Sequence, residues 1–132
     1  MNAKPPTWLE IDRETYKRLL NRTAVTITKR AKKRGATYQV KDAIDAIHAA
    51  FHSCDGSDPF DGLPLDGKLL TSGQSHDHRC PTVCPVSNDT IADFEILSLQ
   101  TKNAKGTMSA ETFIAHCRAV VAHVDTTSAT KG

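Results

Sequence analysis

Apolar residues recur at helical spacing in three stretches of the chain. From about Ile11 to Arg34, Tyr16, Leu20, Thr23/Ala24, Ile27 and Ala31 stand three or four residues apart, which predicts a helix with one buried face. Asp12 reads as its N-cap and Gly35 as its stop. From about Val40 to Ser53 the stripe Val40, Ala43, Ile44, Ile47, Ala50, Phe51 predicts a second helix, with Gly56 just beyond it. The third runs from Ser109, an N-cap with Glu111 in the first turn, to about Val124. Its stripe is Phe113, Ile114, Cys117, Val120, Val121 and Val124, and Cys117 reads there as a small buried hydrophobe.

Between the second and third helices the pattern changes. Residues 55–92 are rich in Gly, Pro, Asp and Ser, with apolar pieces only at Leu63–Leu65 and Leu69-Leu70. So long a stretch is expected to carry short strands or a functional site. Pro81-Thr82-Val83-Cys84-Pro85-Val86 reads as a strand that Pro85 restricts to an edge or a turn. Phe94-Glu95-Ile96-Leu97-Ser98-Leu99 alternates weakly and reads as a second strand, with Gly106 closing the turn after it. The first eight residues form a Pro-containing lead-in, and residues 125–132 a small, polar tail. The fold class expected is therefore α+β.

Composition narrows the class. The chain has 132 residues, a length suited to one domain with one hydrophobic core. Its formal net charge is only +2, but the distribution is uneven. Residues 1–34 hold ten Lys/Arg against three Asp/Glu, and residues 35–132 hold seven against twelve. No apolar run approaches the roughly 18 residues that cross a bilayer, and Met1-Asn2-Ala3-Lys4-Pro5-Pro6 lacks a signal-peptide core. A cytoplasmic protein with reduced thiols and no membrane partner is expected, so the four cysteines do not read as a disulfide framework.

Two clusters carry candidate chemistry. His76, His78, Cys80 and Cys84 fall within nine residues and supply the nitrogen and sulfur donors that tetrahedral zinc prefers. The cluster is wholly local, without the second ligand pair of a typical structural zinc site, and it reads equally as a polar loop with buried cysteines at its ends. Lys29, Arg30, Lys32, Lys33 and Arg34, at the end of the first helix, form a cationic patch of the kind that phosphate backbones attract. The alternative is a solvated helix face. His48 and His52 stand one helical turn apart, without the Glu of the metalloprotease pattern.

The order of the pieces in the middle and C-terminal parts resembles the HNH (His-Me finger) nucleases. Asp58-Pro59-Phe60-Asp61-Gly62-Leu63-Pro64-Leu65-Asp66 is similar to the family's entry stretch. Pro81-Thr82-Val83-Cys84-Pro85-Val86 is similar to the strand that normally reads Pro-Thr-Val-Asp-His-Val. Phe94–Ser98 through Asn103-Ala104-Lys105-Gly106 resembles the second strand and the start of the helix, and Ser109–Val124 the helix that follows. The resemblance implies N-terminal helices followed by an HNH-like ββα module with a loop-rich middle. It divides the chain into a basic helical arm over 1–35, an HNH-like domain over 36–124 and a flexible tail over 125–132.

In such a module a strand His acts as general base on a water, beside a divalent metal such as Mg²⁺ that is held against the scissile phosphate. Here the family's Asp-His pair falls on Cys84-Pro85, and the helix-side Asn on Lys102, with Asn103 one residue on. Proline can neither accept a proton nor ligate a metal. The expectation is a non-catalytic binding protein on a degenerate HNH scaffold, meeting nucleic acid or a nucleic-acid-binding protein. A phage or mobile-element inhibitor of a host nuclease or defence system fits that description, with Asp55, Asp58, Asp61 and Asp66 imitating phosphate. The alternatives are an active metal-dependent endonuclease using His76 or His78 with Asn103, and a module stabilised by Zn²⁺ on His76, His78, Cys80 and Cys84.

Overall fold

The first helix begins where its N-cap was expected. In a computed structural model of the chain, describing residues 3–86 and 90–130 with side chains as far as Thr127, α1 spans Arg13–Lys32. The Asp12 carboxylate accepts from the Thr15 N–H at 2.7 Å. At its end Ala36 N–H donates to the Ala31 carbonyl and Gly35 N–H to the Lys32 carbonyl, with Gly35 at a φ of 95°. That is the Schellman arrangement, which only a residue at ease with positive φ can close. Helix α2 (Val40–Ser53) opens with a reciprocal cap between Gln39 and Asp42.

Both helices bury most of the predicted stripes, with Ile27, Val40 and Ile44 only half-buried and Thr28 buried in addition. Tyr16, Leu20, Ala24, Thr28 and Ala31 of α1 and Ala43, Ile47, Ala50 and Phe51 of α2 are buried, and the two helices pack together. The core continues into Phe94 and Ile96 of the sheet and into Leu9 of a short 3₁₀ turn, Thr7–Leu9, ahead of α1. A second 3₁₀ turn, Gly67–Leu70, lies against the first. Gly67 is there because a Cβ at that position would collide with the Leu9 backbone.

Strands β1 (Pro81–Pro85) and β2 (Phe94–Ser98) form a two-stranded antiparallel sheet, with Pro81 opposite Ser98 and Pro85 opposite Phe94. With two strands every strand is an edge, which is where prolines are tolerated. Strand β2 lies against α2.

The chain departs from expectation after β2. Instead of running as strand to Leu99 and turning at Gly106, it enters helix α3 (Leu99–Lys105) directly. Ser98 is the device: its Oγ accepts from Thr101 N–H at 3.0 Å, and Leu99 and Gln100 donate to the Cys80 and His78 carbonyls. A capping serine at the last position of an alternating strand leaves no periodicity signal. Gly106, at a φ of 55°, ends α3.

Helix α4 (Ala110–Thr130) starts at Ser109, whose Oγ accepts from Thr112 N–H at 3.1 Å, and runs through most of the expected tail. Residues 131 and 132 of that tail, and the first two residues of the lead-in, lie outside the described residues. The α4 stripe is not buried as expected. Phe113 is buried, but Cys117 is exposed, and Ile114, Val120, Val121 and Val124 are 40–58% exposed.

The chain forms two compact units, Met1–Lys102 and Asn103–Gly132. The first holds α1, α2 and the sheet; the basic helix, expected as a separate arm, is therefore packed into a core. The second holds the end of α3 and α4, and among its described residues no further helix or strand covers the α4 stripe. No helix among the described residues is long and apolar enough to cross a membrane.

Candidate functional site

In the segment compared above with the nuclease family, β1, β2 and the short helix α3 follow one another. Pro85 ends β1 opposite Phe94, and Cys84 faces Glu95 across the ladder. Cys84 is buried and its Sγ donates to the Thr82 carbonyl at 3.8 Å. Lys102 and Asn103 are both exposed on α3. Position 85 is thus a proline, which can neither accept a proton nor ligate a metal, beside the buried Cys84.

The zinc candidates are not brought together. His76 and His78 are exposed in the loop before β1, whereas Cys80 is buried and its Sγ donates to the Pro81 carbonyl. Burial, and then Asp77 and Asp66, push the Cys80 thiol up. Among the described residues no group of three or more His, Cys, Asp or Glu side chains is placed to hold a metal ion. The residues present do not fit Zn²⁺ or Mg²⁺ at this cluster.

The acidic loop after α2 is organised around Asp58, which is 1% exposed. Its Oδ1 accepts from Phe60 and Asp61 N–H at 2.7 and 2.9 Å, and its Oδ2 from Ser98 N–H at 2.8 Å, with the Thr101 hydroxyl as a further partner. Burial raises the carboxyl pKa and these donors lower it, and the balance lies below the ordinary value. Asp58 therefore fastens the loop to the start of α3. An Asp before Pro-x-Asp-Gly is a turn signal in sequence, but the partner forty residues away leaves no local trace.

Asp61 is engaged as well. Arg79 Nη1 and Nη2 donate to its two carboxylate oxygens at 3.0 and 3.4 Å, while Nε donates to the Pro64 carbonyl and Nη2 also to that of Leu63. Asp66 accepts from Lys68 N–H and Asp55 from Ser57 N–H. Each carboxylate expected to imitate phosphate thus accepts a hydrogen bond from its own surroundings, and only Asp58 is buried by doing so.

The cationic patch is the predicted site that the fold presents intact. Lys29, Arg30, Lys32, Lys33 and Arg34 are all exposed at the end of α1, and Arg18 and Arg22 extend the same charge up the helix. Glu14 is the single acidic residue in α1. A 20-residue helix is about 30 Å long, so the basic face spans several phosphates of a nucleic-acid strand. The buried stripe at positions 16, 20, 24, 28 and 31 keeps this face outward.

No family model, curated protein or solved structure matches the chain.

Proposed function

We propose that this chain is a non-catalytic nucleic-acid-binding protein on a degenerate HNH-like ββα scaffold. The observation that carries the reading is the outward basic face of α1, ending in Lys29, Arg30, Lys32, Lys33 and Arg34. Cations on a packed helix are held in a fixed row, so they meet a phosphate backbone without first ordering a loop. Such contacts release counterions and are largely indifferent to base sequence. Pro85 at the end of β1, with no group that can take up a proton, supports the absence of a strand base.

Fluorescence anisotropy with a random-sequence duplex between about 50 and 200 mM salt tests the reading. Affinity is expected to fall with a log–log slope of about −4.5 if all five cations of the patch meet phosphates. Lys29→Glu with Lys33→Glu is expected to weaken binding more than tenfold at unchanged helicity. Absence of binding at low salt sinks the proposal. Mg²⁺- or Mn²⁺-dependent plasmid cleavage that His78→Ala abolishes would instead establish the His76/His78 endonuclease.

A further inference from the structure

Exposed apolar surface is concentrated on one element. Of the eight large apolar side chains that stand exposed among the described residues, Ile114, Val120, Val121 and Val124 all belong to α4. Cys117, also exposed, lies between them on the same face. The unit that carries α4 offers no further described helix or strand to cover this stripe. A contiguous apolar face of that kind marks a site of association.

The stripe has a register of its own. Ala110, Cys117 and Val124 recur every seven residues, and Phe113, Val120 and Thr127 repeat the same step three residues later. These are the a and d positions of a seam between two paired helices. Ile114 and Val121 widen the seam at e, and His116 and His123 border it at g. The charged residues Glu111, Arg118 and Asp125 all fall at b, away from the seam. A partner laid along the seam therefore buries no formal charge.

The pattern is complementary to itself. In one antiparallel register every a position meets a d position of a second copy: Cys117 opposite Val120, Phe113 opposite Val124, and Ala110 opposite Thr127. A two-fold axis repeats each pair in reverse. The ends of the two helices then coincide, overlapping over about 27 Å from Ala110 to Thr127. The same register sets Ile114 beside Val121 of the second copy on one flank and leaves the histidines together on the other. A parallel pair would instead place each e residue against a histidine at g. Antiparallel packing also brings opposite ends of the two helix dipoles side by side.

We infer that α4 pairs antiparallel with α4 of a second copy of this chain, with the two Cys117–Val120 layers at the centre. Phe113, already buried within its own chain, forms the outer part of the seam. An interface of this length is at the small end for specific pairs, so the association is reversible and follows protein concentration. It does not rest on nucleic-acid binding.

The test is sedimentation equilibrium of the full chain, free of nucleic acid, from about 5 μM to about 1 mM. A monomer–dimer equilibrium with its Kd inside that range is expected. Val120→Glu with Val124→Glu should raise the Kd about tenfold or more at unchanged helicity, because it buries charge in the seam while Glu is a good helix former. Ala122→Glu, at an exposed position on the opposite face, should leave the Kd unchanged. Val120→Cys under mild oxidation should give a covalent dimer that joins Cys117 of one copy to position 120 of the other. The thiol of Cys117, open in dilute protein, should react more slowly as concentration rises through the Kd. A monomer mass at every concentration, a dimer indifferent to the double glutamate variant, or cross-links confined to like positions would overturn the inference.

Discussion

The Tyr16 hydroxyl lies 2.7 Å from Nδ1 of His48 and joins α1 to α2 by a polar contact within their packed interface. The His48 ring also meets that of His52 edge-on at 4.5 Å, and His52 Nε2 lies 2.6 Å from the Lys4 carbonyl. The path runs from the first helix through two imidazoles to the N-terminal lead-in. Burial, and then the neighbouring His52, lower the His48 pKa, against a smaller opposing pull from Asp45. A folded state that disfavours imidazolium is stable above the ordinary histidine value near 6.5 and loses stability as pH falls through it, because the unfolded chain takes up the proton first.

Thermal melts between pH 7.5 and 5 should therefore show a fall in Tm that His48→Gln flattens. Burial raises Tyr16, so a second loss is expected on raising the pH above about 10. Tyr16→Phe should reduce that alkaline loss, with Tyr38 and the raised thiols keeping part of it. It should cost about 1 kcal/mol at neutral pH, the worth of one partly buried hydrogen bond. Tm profiles that are identical in wild type and His48→Gln would refute the acid-side assignment.

Asp58→Ala should be among the most destabilising single changes in the first unit. It strips the acceptor from Phe60, Asp61 and Ser98 N–H groups at once, in a place where water does not replace it. A cost of about 3 kcal/mol is expected, read from the urea midpoint, with Asp58→Asn milder because it keeps one acceptor oxygen. As the folded pKa lies below the ordinary 3.8, the carboxylate's contribution is present above that value and disappears as pH falls through the folded pKa.

Thr28 offers the opposite outcome. It is 2% exposed, and its hydroxyl has no hydrogen-bond partner among the described residues. Thr28→Val keeps the shape and removes the buried polar atom, so it should stabilise the chain by about 1 kcal/mol. A lowered Tm would show that the hydroxyl is satisfied in solution.

The thiols should react in two classes. Ellman's reagent is expected to modify Cys117 at once in dilute native protein, because it is exposed on α4. Cys80 and Cys84 are buried and should react only as denaturant opens the first unit. Fast reaction of Cys80 in the native state would contradict its burial.

What was readable in advance follows from the range of each interaction. The two N-terminal helices announce themselves because stripe, cap and stop are all local, down to Asp12 and Gly35. The strands were placed to within a residue for the same reason. Periodicity gave no sign of helix α3, because its cap, Ser98, is also the last residue of a strand. Only the family resemblance implied the start of a helix, at 103–106. The exposure of Cys117 was hidden because periodicity reports an apolar stripe and never its cover. At the candidate sites, the cations of α1 were legible as a run. The bond from Ser98 N–H to Asp58 was not, because its partners stand forty residues apart.

Ser98 closes β2, caps α3 and donates its N–H to Asp58, with no linker residue on either side. Chain length at this joint is therefore under tighter constraint than residue identity. One residue inserted after Ser98 would turn every α3 side chain by about 100° about the helix axis. Thr101, now buried, would leave the Ser98 and Asp58 contacts in a single step. Insertions should be tolerated in the loop before β1 and eliminated here, so that a library of single-residue insertions would show a sharp gap across 97–99.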